Sequence, residues 1–204
     1  MYDILNDKPE VEVSRCIYSS HYNDLDILPN EESVSALEID LIIKEQFYLL
    51  NSKLRNFSIS NYDYTFLDCP PNLLFFVISA LIVSDYAVIP VVADSQFSID
   101  GLNRMLDFIN EQKKTSNTNL KFLKAVINMV DMRMGLIKPI KSAILDKLGD
   151  SGVFASEIPA NSAIKQAEYV MRSVIDYKPS SRSANSFFKL AEELERTIQG
   201  ENNV

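Results

Sequence analysis

The strongest constraint on the fold is Ala87-Val88-Ile89-Pro90-Val91-Val92, an apolar run without a break. A strand wetted on one face alternates apolar with polar; a continuous run reads as covered on both faces, as in a parallel sheet. A second run, Lys124-Ala125-Val126-Ile127-Asn128-Met129-Val130, follows a segment in which Leu102, Met105, Leu106 and Ile109 form one helical stripe, with Ser98 placed to cap it. Strand, helix, strand in that order is the βαβ rhythm.

The flanking segments keep the rhythm. Leu25–Pro29 reads as a short strand, and Ser33 to about Phe57 as a helix with Leu37, Leu41, Phe47, Leu50 and Leu54 on one broad stripe. Tyr64-Thr65-Phe66-Leu67 is rich in β-formers and ends at Asp68, where Pro70-Pro71 stops it. Asn72–Ser84 reads as a helix apolar on nearly all sides. Leu136–Leu148 reads as another helix, and Val153–Ile158 as a short strand ended by Pro159. A last helix spans Ala184–Ile198, with Phe187, Phe188, Leu190, Ala191 and Leu194 inward. The expectation is a single α/β domain over residues 1–204, a mostly parallel sheet flanked by helices. Ligands of such sheets sit at the carboxyl ends of the strands, which singles out Asp68, Asn128 with Asp131, and the residues after Pro159.

Composition narrows the function. The chain has 204 residues, 47% hydrophobic and 24% charged, with two cysteines and one histidine. Cys16 and Cys69 are too few for a disulfide scaffold and fit a reducing compartment. His21 alone excludes a multi-histidine metal site, and a histidine relay unless His21 is itself the catalyst. The longest apolar stretch, Leu73–Val83, is interrupted by Ser79 and falls short of the about 20 residues a membrane span needs. With an acidic, mixed N-terminus, the chain reads as soluble and cytoplasmic. The net charge of −8 is uneven: residues 1–100 hold 5 Lys/Arg against 16 Asp/Glu, residues 101–204 hold 15 against 12. An anionic partner would meet the second half first.

Tyr62-Asp63-Tyr64-Thr65-Phe66-Leu67-Asp68-Cys69-Pro70-Pro71-Asn72-Leu73 resembles the Walker B segment of ParA/Soj-type partition ATPases. Val126-Ile127-Asn128-Met129-Val130-Asp131-Met132-Arg133 is similar to the family's strand ending in Asp-x-Arg. Ile158-Pro159-Ala160-Asn161 is similar to its Ile-Pro-x-Asn turn, and Tyr177-Lys178-Pro179-Ser180-Ser181-Arg182-Ser183-Ala184 to the element that opens its last helix, with Ser183 in place of glycine. Tyr2–Leu5 and Leu25–Pro29 resemble segments that precede Walker B, so the likeness covers essentially the whole chain. The resemblance implies a P-loop NTPase-like fold, ATP and Mg²⁺ as cofactors, and plasmid or chromosome segregation as the function. It implies nucleotide-dependent homodimers, nonspecific DNA and a ParB-like centromere-binding protein as partners. Asp68 would hold the metal, while Asn128 and the backbone around Pro159 would lie along the adenine. Asp68 has a plainer alternative as a cap for the next helix, and Asn128 as a strand-end residue satisfying local backbone groups. Cys69 reads as a small buried filler, His21 as a solvated loop residue. Lys138, Lys141, Lys165, Arg172 and Lys178 are candidate DNA contacts, each with a solvated surface charge as the alternative.

Two departures qualify the resemblance. A Walker A loop needs Gly-Lys followed by Ser or Thr; Gly101, Gly135, Gly149, Gly152 and Gly200 are followed by Leu, Leu, Asp, Val and Glu. The family's loop and its water-positioning carboxylate are expected before residue 1, as is a strand beside Tyr64–Leu67. Without the cradle the chain is not expected to turn over ATP alone, so its standing as an enzyme is open; a strand robbed of its neighbour carries unpaired backbone groups. Leu67 and Ile89 are expected in the core all the same. The segment Val92–Gln96 is one residue longer than the family pattern. The alternative function is a non-catalytic binding or regulatory module on a degenerate ParA fold. A MinD-like membrane association is disfavoured by the acidic last helix, which anionic lipid would repel.

Overall fold

The computed structural model describes residues 1–6, 11–30 and 34–202, so the expected helix start at Ser33 lies outside it. Two compact units emerge: Met1–Asp85 with Gln112–Leu120, and Tyr86–Glu111 with Lys121–Val204.

The first unit is mainly helical. Helix α1 (Tyr2–Leu5) buries Ile4 and Leu5. A short antiparallel pair, β1 (Tyr18–Ser19) and β2 (Asp26–Ile27), matches the expected strand. The single helix expected from Ser33 to Phe57 is two: α2 (Val34–Ile43) and α3 (Leu49–Asn61). The break is a C-terminal capping motif. Glu45 has φ 53°, its N–H donates to the Ile42 carbonyl, and the Gln46 N–H reaches back to the Leu41 carbonyl. These are the two bonds of a Schellman motif, whose left-handed position usually holds glycine. Leu50 and Leu54, one turn apart on α3, join Ile4, Leu5, Val34, Leu41 and Phe75 in one core. Each such aliphatic side chain contributes about 1.5–3 kcal/mol by leaving water.

Helix α4 (Phe75–Val83) is buried along nearly its whole length, as its composition implied. Its C-terminal end is held from two sides. Arg55 donates to the Val83 carbonyl and forms a two-pronged ion pair with Asp85, and the Asn117 side-chain amide donates to the Leu81 and Ser84 carbonyls at 2.9 and 2.8 Å. Those carbonyls are among the orphans every helix end must satisfy.

The second unit holds the parallel pair β3 (Tyr86–Val92) and β4 (Lys121–Asn128), registered from Tyr86↔Lys121 to Val92↔Asn128 with an irregularity after Ala87. Helix α5 (Gln96–Thr115) makes the crossover and starts before Ser98. Instead of capping it, the Ser98 hydroxyl donates to the Asp94 carboxylate, as does that of Ser95. These two bonds hold Asp94 below the usual carboxylate range. The expected strand Val153–Ile158 is reduced to isolated parallel bridges, Ala125↔Val153 and Val130↔Pro159. Helix α6 (Ile137–Leu148) ends at Gly149, where φ is +69°. Helices α7 (Ser162–Tyr169), α8 (Val174–Tyr177) and α9 (Arg182–Asn202) complete the unit. Phe187, Leu190, Leu194 and Ile198 of α9 pack on Leu123, Val126, Phe154 and Ile158. Phe188 and Ala191, expected inward, face solvent, because the seam runs Phe187, Leu190, Leu194, Ile198 in steps of three, four and four residues.

Strand β3 departs from expectation: Ala87, Ile89 and Val91 are buried, while Val88 and Pro90 are exposed. Its composition suits burial on both faces, yet one face is bare among the described residues. The architecture is α/β, a parallel sheet flanked by helices.

Candidate functional site

In the first unit, residues 64–70 form no strand. Phe66 is 77% exposed and Leu67, expected in the core, is only half-buried, whereas Ile89 in the second unit is buried as expected. β-propensity expresses packing against neighbouring strands, and no strand pairs with this stretch among the described residues. The stretch is anchored at its start, where the Tyr62 hydroxyl donates to Asp26 at 3.0 Å. That contact also acts on the phenol: desolvation first, then the Asp26 hydrogen bond and charge, raise it above its ordinary value.

Asp68 is exposed. It does not cap the following helix, since α4 has Leu74 at its N-cap and no side-chain cap bond. The helix-cap alternative therefore falls, and the carboxylate stands open to a ligand. Cys69 is exposed rather than a buried filler. Desolvation around its sulfur, and then the Asp68 charge, push its thiol up, opposite to the shift that activates a nucleophile. His21 is exposed in a loop and its ring lies 3.9 Å from that of Tyr22.

In the second unit, the end of β4 and the turn at Pro159 are drawn together. The Ile158 N–H donates to Ile127, Val130 to Ile158 and Ala160 to Val130, each at 3.0 Å. This ladder sets Pro159 beside Val130, two residues from Asn128. The Asn128 Oδ1 accepts from the Met129 N–H at 2.9 Å, and Met129 sits at φ 54°. The local-backbone role thus occupies the amide oxygen; no described residue accepts from its Nδ2, which leaves a donor for a base edge. Asn161 caps α7 by accepting from the Ala163 N–H.

Asp131 and Arg133 form a closed pair. Arg133 Nε and a terminal guanidinium nitrogen reach the carboxylate at 2.8 and 2.6 Å, and the Arg133 N–H adds a bond at 3.1 Å. The side-chain hydrogen bond first, then the backbone one, lower Asp131 to about 2. The last-helix element is built as expected: the Ser181 hydroxyl accepts from the Ala184 N–H to cap α9, and Ser183 is fully buried where the family pattern has glycine.

Each unit offers its own groups, Asp68 in the first and Asn128 with Pro159 in the second. Asp68 suits the metal by charge and access, and Asn128 with the Pro159 backbone suits a base. For the phosphates there is no counterpart: no glycine precedes lysine, and the one glycine with positive φ, Gly149, caps α6. Among the described residues no three His, Cys, Asp or Glu side chains gather as a metal site.

Of the candidate DNA contacts, Lys141 is paired with Glu157, and Arg172 with Asp176 at 2.6 Å. Lys138, Lys165 and Lys178 are exposed without an ion pair among the described residues. Sequence reasoning missed Glu193, whose carboxylate accepts from the Ala155 and Ser156 N–H groups at 2.8 and 2.9 Å with Lys124 at 3.6 Å. A glutamate on an amphipathic helix gives no sign of a partner 37 residues away. No helix among the described residues is long and apolar enough to cross a membrane.

The sequence model of the AAA_31 family, an AAA domain, matches residues 1–122. The sporulation initiation inhibitor protein Soj of Bacillus subtilis is 30% identical over 95% of this chain and 75% of its own length. Apo McdA from Cyanthece superposes with a TM-score of 0.79 at 19% identity, covering 94% of this chain and 76% of that one. The septum site-determining protein MinD of Pyrococcus horikoshii, solved with Mg-ADP, gives 0.67 at 18% identity over 97% and 79%. At such identities the solved structures speak for the fold alone. The family-wide match and the Soj relationship carry the assignment: this chain belongs to the ParA/Soj-type partition ATPase family.

Proposed function

We propose that the chain acts as a ParA-like protein in plasmid or chromosome partition, working with DNA and a ParB-like partner as a nucleotide-dependent dimer. The observation that carries this reading is the similarity to Soj along 95% of the chain. Residues 62–73 supply the Walker B-like segment. In this reading residues 1–204 act as one functional domain. Asp68 holds Mg²⁺ directly or through water, and Asn128 Nδ2 and the Pro159 backbone orient the adenine. A bound magnesium nucleotide would supply the energy of the partition cycle. The phosphate cradle is not among these residues, so ATP turnover requires backbone donors and a lysine from elsewhere.

A second reading, a non-catalytic module on the same fold, is favoured by the absence of Gly-Lys from the 204 residues. The test is retention of a low-copy plasmid in cells carrying the wild-type gene or Asp68→Ala, alongside ATP turnover by purified residues 1–204. Plasmid loss in Asp68→Ala with no turnover by the isolated chain is expected. Equal retention by both genes would favour the second reading. Sustained turnover by residues 1–204 that is lost in Asp68→Ala would reveal a phosphate site of another kind.

A further inference from the structure

Helix α9 carries Arg182, Lys189 and Arg196 at seven-residue spacing. All three are exposed, and none makes a hydrogen bond or ion pair among the described residues. Seven-residue spacing returns to nearly the same helix face, drifting about 20° per heptad. The stripe runs beside the half-buried Phe187, Leu190 and Leu194 row and lies next to the 155–157 segment. Between helix and segment are two shallow depressions, of about 440 and 630 Å³. They share Ala155, Ser156 and Lys189, so they form one continuous groove. Arg182 lines one end, Arg196 the other, and Lys189 the middle.

The carboxylates along the groove are mostly spent. Glu193 is clamped by two N–H groups and Lys124, and Glu157 is paired with Lys141. Among the described residues that line the groove, Glu192 is the one carboxylate not engaged elsewhere, so the lining keeps a positive excess. At about 1.5 Å rise per residue, the cations stand about 10 Å apart over a length of about 21 Å. A peptide extended in the polyproline II form has three residues per turn and advances about 3.1 Å per residue, so every third side chain returns to one face at an interval of about 9 Å, close to that of the cations. Duplex DNA presents a charge about every 1.7 Å of its axis and has no such period.

We propose that this groove is a docking site for an acidic peptide segment lying extended along α9, with carboxylates at every third residue paired to Arg182, Lys189 and Arg196. The groove's lining residues do not include Asp68, Asn128 or Pro159, and its use does not depend on nucleotide. The pairs are exposed, so binding is salt-sensitive and individually weak, and selectivity comes from the phasing of the charges.

The test is fluorescence anisotropy on the full chain with two labelled peptides of about ten residues and one composition. One has glutamate at every third position; the other has the same glutamates clustered. A labelled DNA duplex is the third probe. The phased peptide is expected to bind several-fold tighter than the clustered one. R182E/K189E/R196E is expected to weaken it about tenfold or more, falling as salt rises. The neutral R182Q/K189Q/R196Q carries the same test should charge reversal disturb folding, with thermal melting as the check that the fold is kept. Equal binding of the two peptides would overturn the proposal, as would binding that survives both variants. So would a result in which the variants cost duplex binding and leave the peptide untouched, which would make the stripe a nucleic-acid contact instead.

Discussion

Glu193→Ala is expected to be among the most damaging single changes in the second unit. The carboxylate is 14% exposed, faces Lys124 at 17% exposed, and accepts two consecutive backbone N–H groups. Lys124 also lies 5.4 Å from the centre of the Phe154 ring, which is fully in the core. A hydrogen bond to a charged group contributes about 1.5–3 kcal/mol, and a buried donor left without its acceptor costs about 1–3 kcal/mol. Ala155 is exposed, so water can replace one bond; the Ser156 N–H and the Lys124 ammonium are shielded. The net loss is about 2–4 kcal/mol, a drop in melting temperature of about 2–4 °C per kcal/mol for a chain of this size. Burial alone would raise Glu193, but the two N–H bonds and Lys124 outweigh it and hold the carboxyl below its usual value. A lowered folded value means the stabilisation is present above the unfolded value of about 4.3 and is lost as pH falls through the folded one. The assay is urea unfolding of wild type and Glu193→Ala from pH 7 down to pH about 3, with Lys124→Met and the double variant closing a cycle. The gap between wild type and Glu193→Ala should narrow on acidification, and the cycle should show coupling. A change under about 0.5 kcal/mol at neutral pH, the size of an ordinary surface substitution, would refute the clamp.

Glu45→Gly should stabilise the first unit by about 0.5–1 kcal/mol in chemical denaturation, because glycine takes the left-handed cap position without the Cβ penalty. Asn117→Ala should cost about 2 kcal/mol by orphaning the Leu81 and Ser84 carbonyls, whereas Asn117→Asp should cost as much or more, since a carboxylate cannot donate to them. Asp131 should titrate with a midpoint of about 2 by carbon-detected NMR and move up toward the ordinary carboxylate range in Arg133→Ala; an unchanged midpoint would show that the pair does not form in solution.

The elements legible in the sequence are those whose pattern is intrinsic to one segment. The apolar strands at Ala87–Val92 and Lys124–Asn128, the apolar helix before them and α6 all lie where their composition puts them. What was hidden depends on partners or on backbone geometry. Glu45 stops a helix without a glycine or proline to announce it, because the Schellman bonds to Ile42 and Leu41 outweigh the cost of its left-handed φ. Tyr64–Leu67 has the residues of a strand but no ladder, since pairing belongs to two segments and not to one. Asp68, Asn128 and Pro159 could be picked out by their place at strand ends and by family resemblance. Asn117 and Glu193, which hold two ends together across 33 to 38 residues, left no local trace.

The first compact unit is discontinuous in sequence: its last piece, residues 112–120, comes 27 positions after Asp85. A ribosome extending the chain at about 5–20 residues per second has made every residue of α4 a few seconds before Asn117 exists to receive its end. During that interval the Leu81 and Ser84 carbonyls rely on water, and a nascent chain stopped at Asp85 lacks a piece of the unit it belongs to. Vectorial synthesis therefore cannot finish the first unit until the 86–111 piece of the second has been made. An amino-terminal fragment cut at Asp85 for separate expression would inherit the same incomplete state permanently.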